Sequence, residues 1–205
     1  MDATLREIST LVKASRRTIS AQRDRLQKLE ALLRDCPEVS PEQLARTTAP
    51  AAGDDDPVAR FRTARDGVVT VFVALHVVAA DLSSCIKAAR HPDFDPAALP
   101  DLSVLTDDEA CDRLLVLALP LPDPPAGLPD VFVRLQVAFT SVHLLDHHLT
   151  RSLQSLGRAG VPPQLPGTVA EGHRYLSRAV PLAVLAAQCV HVVADYCAAQ
   201  ELAGR

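Results

Sequence analysis

From Leu5 to Leu33, apolar side chains recur at alternating steps of three and four. Leu5, Ile8, Val12, Ile19, Leu26, Leu29 and Leu33 carry the seam, and Ser15 and Gln22 interrupt it. That spacing is a heptad pattern, and it predicts a long first helix with one apolar edge. Thr4 with Glu7 makes a capping-box pattern at its start, and Cys36-Pro37 ends it. The two polar positions weaken the seam but fix its register. The other face of the helix carries Arg6, Lys13, Arg16, Arg17, Lys28 and Arg34, a pattern that reads as a solvated surface.

The pattern changes at residue 67. Gly67–Ile86 is apolar on every side apart from His76, Asp81 and a few hydroxyls. A helix without a polar face has to be wrapped by other helices or by lipid. Its uninterrupted run, Val68–Ala80, is shorter than the roughly 20 residues that a bilayer requires. A buried central helix over about residues 57–90 is therefore predicted. Three more helices follow, over about 107–119, 130–156 and 169–203, with capping-box patterns at Thr106–Glu109 and Thr168–Glu171 and a stop at Gly157. Pro-rich stretches separate them. The expected fold is all-α: an up-and-down bundle of four long helices plus one short helix, joined by Pro-rich loops. Residues 1–46 would form a heptad-bearing helix and a short turn that either projects from the core or completes it, and residues 57–205 would form the core.

Composition sharpens this picture. Hydrophobic residues make up 48% of the chain and aromatics only 3%, with no Trp, so the core must be built from Leu, Val and Ala. A net charge of -4 and the scarcity of rings for base stacking argue against nucleic acid as a partner. The first 35 residues are net basic, which leaves contact with an anionic membrane surface as a minor alternative. Five cysteines form no CxxC pair, and no cleavable leader opens the chain, so an intracellular, reducing location is expected, with the thiols packed as small hydrophobes.

The sequence contains no GxSxG, P-loop, dinucleotide fingerprint or HExxH. The leading reading is a non-enzymatic adaptor or complex subunit that needs no cofactor. It would hold a protein partner, or a second copy, through Leu5, Ile8, Val12, Ile19, Leu26, Leu29 and Leu33. The competing reading is a metal- or ligand-binding bundle. His76, His143 and His191 each lie near the middle of a long helix, and Asp146 and His147 follow His143. Midpoints of antiparallel helices share one height, so His76, His143, Asp146 and His191 could form a midplane site. Asp146 falls within the apolar series Phe132, Leu135, Phe139, Val142, Leu149, Leu153 and Leu156. There it needs a partner on a facing helix or must border an open groove.

Overall fold

The computed structural model describes residues 3–40, 42–43, 56–89, 107–157 and 169–204. Five helices and no strand occur among the described residues: α1 (Ala3–Arg34), α2 (Pro57–Ala89), α3 (Asp107–Ala118), α4 (Leu128–Leu156) and α5 (Val169–Ala203). The chain is all-α. Helix limits fall within about two residues of those read from the sequence. The capping patterns that rely on Thr106 and Thr168 lie outside the described residues, as do most of the Pro-rich connections.

Several helix entries follow from local chemistry. The Ser40–Gln43 box is reciprocal: Ser40 N donates to Gln43 Oε1 at 2.8 Å, and Gln43 N donates to Ser40 Oγ at 3.2 Å. Asp56 accepts the amide of Val58 at 3.0 Å at the start of α2. Gly157 closes α4 with φ 78, a left-handed value that glycine adopts without strain. The start of α5 is held from far away. The Glu38 carboxylate accepts Val169 N at 2.8 Å and Ala170 N at 3.0 Å. It satisfies two amides that no turn of α5 can reach, and it places negative charge at the positive end of the helix dipole.

Helix α1 packs on α2 and on α5 and shares one hydrophobic core with them. Contacts climb one helix as they descend the other: Ser15 meets Asp81 and Leu29 meets Gly67, so α1 and α2 are antiparallel. Ile8, Val12, Ile19 and Leu26 are fully buried, and Leu5, Leu29 and Leu33 nearly so. The seam that the sequence offered to another chain thus faces the protein's own helices. A heptad edge states that a helix needs neighbours, not whose they are. Ser15 donates to Asp81 at 3.3 Å, a polar contact within the apolar seam that penalises any sliding of α1 along α2.

Helix α4 is rotated from the expected position. Its buried edge runs Val131, Leu135, Ala138, Val142, Leu145, Leu149, Ser152 and Leu156, again at steps of four and three. Phe139 and Leu153 sit at the border, while the smaller Ala138 and Ser152 face in. Small side chains let α4 approach α5: Ser152 Oγ donates to the Gly172 carbonyl at 2.9 Å, and a Cβ on Gly172 would lie only 2.7 Å from Leu156. The rotation also moves Asp146 out of the core. At the border between α3 and α4, the buried Arg134 donates to the carbonyls of Leu121 and Pro122 and pins the intervening loop.

The expectation of an intracellular location is overturned. Three helices, α2, α4 and α5, are long and apolar enough to cross a membrane, judged by length and composition. The unbroken run Val68–Ala80 understates the apolar length of α2, because a span accommodates an isolated charge such as Asp81 when the remaining turns are apolar. The thiols of Cys85, Cys189 and Cys197 do pack as small hydrophobes. Their burial carries no information about compartment.

The Glu38 cap gives a direct test of this packing. Glu38→Ala should lower global stability by about 1 kcal/mol, seen as a drop of a few degrees in Tm by circular dichroism. An unchanged Tm would mean that the carboxylate does not hold α5.

Candidate functional site

The feature that sets this chain apart is the outward side of α2. With α1 on one flank and α4 on the other, α2 buries Val68, Val71, Leu75, Val78 and Leu82. The opposite side is apolar as well. Val69, Val73 and Val77 are 45%, 61% and 59% exposed. Thr70, Ala80 and Ser84 extend the same stripe, and His76 lies on its border. Charge appears only at its ends, with Asp66 and Lys87. The uncharged face between them is about 31 Å long at roughly 1.5 Å per residue. β-branched valines have few rotamers, so the surface is stiff.

The outer faces of the other long helices differ. Helix α1 exposes Arg6, Glu7, Lys13, Arg17, Asp24, Arg25 and Lys28; α4 exposes His143, His147 and Arg151; α5 exposes Arg174, Arg178, Gln188 and Asp195. The apolar stretches of α4 and α5 are 50% and 56% buried within the chain, against 33% for α2. Helix α4 spends its apolar surface on α5 and on the inner side of α2, and α5 spends its own on α4 and α1. Helix α2 has some left over.

Of the four residues expected to make a midplane site, His76 and Asp146 come together, whereas His143 and His191 lie elsewhere. His76 Nδ1 donates to the Phe72 carbonyl at 2.9 Å and lies 3.8 Å from Asp146 Oδ1, an electrostatic contact too long for a hydrogen bond. His143 is exposed, edge-on to Phe139 with ring centroids 4.4 Å apart. His191 turns toward α1, with Nε2 2.8 Å from Ser20 Oγ. Equal height along a bundle does not give equal azimuth, and these rings point to different sides. Among the described residues no group of three His, Cys, Asp or Glu is placed to hold a metal ion. Among the described residues the buried histidine is another one: His148 is 1% exposed, its ring 6.4 Å from that of Tyr175.

The sequence reading assigned the basic face of α1 to solvent, but part of it pairs with α5. Lys13 meets Glu201 at 2.8 Å, Arg16 meets Asp195 at 2.7 Å, and His191 meets Ser20. Further along, His173 Nε2 donates to Glu30 at 2.7 Å, beside Arg34 at 2.7 Å and Ser177 at 3.2 Å. The signal was present: cations at 13 and 16 and anions at 201 and 195, in opposite order, suit antiparallel neighbours. Glu30, His173 and Ser177 have the residue types of a nucleophile relay but not its geometry. Both Glu30 and Ser177 approach the same nitrogen, Nε2. A relay uses one ring nitrogen for each partner. The cluster ties α1 to α5.

Comparison of the chain with protein-family models, with characterised proteins and with solved structures finds no match. The functional reading therefore rests on the residues themselves.

Burial alone would raise the Glu30 carboxyl. Hydrogen bonds from Arg34, His173 and Ser177 outweigh it and hold the group below the ordinary glutamate value. A depressed carboxylate stabilises the fold above its unfolded value, near pH 4, and that contribution is lost as pH falls through the lowered value. Glu30→Gln should therefore cost stability at neutral pH and flatten the acid limb of a pH–Tm curve. Parallel curves for the variant and the wild type would remove Glu30 from the α1–α5 latch.

Proposed function

We propose that this chain is a helical interaction subunit that docks a protein partner through the outward face of α2. Its architecture in this reading is an up-and-down bundle of four long helices and one short one. The observation that carries the reading is the exposed, uncharged stripe Val69, Val73, Val77 and Ala80 on a protein whose other long helices present charge or imidazole to solvent. Contiguous apolar surface of this kind marks an interaction site.

Energy decides between this face and the α1 seam. To present the seam to another chain, α1 would have to leave α2 and α5 and expose seven aliphatic side chains. At about 1.5–3 kcal/mol for each, the cost exceeds roughly 10 kcal/mol, comparable with the whole stability of a typical domain. The polar pairs with α5 would be lost as well. Docking on α2 requires no such rearrangement, because the face is already open.

A second reading is favoured by one observation: α2, α4 and α5 each have the length and composition of a membrane-crossing helix. The uncharged face of α2, about 31 Å long, matches a hydrocarbon core of about 30 Å. In that case the same stripe would meet acyl chains.

Photo-crosslinking separates the two. A photoreactive residue replacing Val73 should form discrete protein adducts, and one replacing Arg17 on the charged side of α1 should form none. Adding Val77→Asp should abolish the adducts at position 73 while leaving Tm nearly unchanged, because residue 77 is already mostly exposed. Lipid adducts alone at position 73 would move the conclusion to the membrane reading. No adduct of either kind would overturn both.

A further inference from the structure

We infer that the partner is a second copy of this chain, paired antiparallel along α2 about a two-fold axis between His76 and Val77. The inference rests on α2 being the docking face and adds the identity of what docks there. Three, seven and ten residues beyond the central pair, below His76 and above Val77, the exposed stripe carries matched positions. At three they are Val73 and Ala80; at seven, Val69 and Ser84; at ten, Asp66 and Lys87.

In an antiparallel two-fold pair each residue meets its counterpart across the axis, so every contact occurs twice. Val73 falls opposite Ala80, Val69 opposite Ser84, and Val77 opposite His76. Each branched side chain thus meets a smaller or flat one, as close helix packing requires. Asp66 falls opposite Lys87 at both ends, which gives two ion pairs of the correct sign. Parallel pairing would instead set Asp66 against Asp66 and Lys87 against Lys87. The charge pattern selects the antiparallel arrangement.

The end groups are accessible. The Asp66 side chain is 66% exposed, and among the described residues it pairs with its chain neighbour Arg65, at 3.0 Å. Lys87 is exposed. At the centre, each imidazole lies opposite a valine and keeps Asp146 of its own chain 3.8 Å away. A single helix face lies at the small end of specific interfaces, which sets the expected dimer in the micromolar range.

The test is sedimentation equilibrium of the purified full chain across micromolar concentrations, with thermal melts to confirm folding. Wild type should associate reversibly to a dimer, and Val73→Asp should be monomeric. Asp66→Lys and Lys87→Asp should each weaken the dimer about tenfold, because two attractive contacts become repulsive. The double variant Asp66→Lys/Lys87→Asp should return to within about threefold of wild type, since the pairs are restored with signs exchanged. If the single variants associate as wild type does, or if the double variant is weaker than either single one, the antiparallel register is wrong. A chain that stays monomeric at every concentration overturns the inference while leaving the α2 face standing, provided that protein adducts still form at position 73. Loss of those adducts as well would sink the docking face itself.

Discussion

The burial of the α1 seam between α2 and α5 determines most of what this protein can present to other molecules. Seven aliphatic side chains are removed from water along a single edge, and polar pairs at intervals along the helix fix where that edge sits. Apolar packing alone tolerates sliding by one heptad. Lys13–Glu201, Arg16–Asp195 and Glu30–His173 do not, because a shift would separate every pair at once. Exposed ion pairs contribute little to stability individually. Their role here is to choose one register among several that the apolar edge would accept.

This closure has a consequence for α2. A helix with a polar outer side would leave nothing to explain once its inner side was covered. Helix α2 is apolar around most of its circumference, so covering one side with α1 and α4 leaves Val69, Val73 and Val77 in solvent. The same composition in α5 has a different outcome. Its Leu182, Ala183, Ala186 and Val190 are enclosed, and Arg178, Gln188 and Asp195 point out. Length and apolarity therefore qualify three helices for a membrane, whereas the distribution around the axis distinguishes α2 from the other two.

Much of the fold could be read from residue order. Heptad spacing located α1, and Pro and Gly marked the ends of α2 and α4. Azimuth was less legible. In α4 the apolar series through Phe139 and Leu153 was more hydrophobic than the true edge through Ala138 and Ser152, yet close approach to α5 favours the smaller residues. Asp146 finds the partner on a facing helix that its position required, His76 on α2, whereas His143 and His191 point elsewhere, because periodicity gives a residue's position along a helix better than the side to which it points. Glu38 belongs to a different class, since a cap 131 residues away from the amide that it serves leaves no local pattern. The α2 stripe was visible as apolar sequence but not as exposed surface, because exposure depends on which neighbours arrive and from where.

The two seams of this protein follow one rule with different results. In α1, polar residues set within and beside an aliphatic edge pick out its partners, and those partners lie in the same chain. In α2, the outer stripe is aliphatic over its length and charged only at its two ends. Apolar surface gives a reason to associate but little direction, whereas opposite charges equidistant from a midpoint give direction with little energy. A face that has both, on a helix held rigid by α1 and α4, meets the requirements for a specific contact between helices. A purely lipid-facing surface would gain nothing from Asp66 and Lys87 being placed in symmetric register.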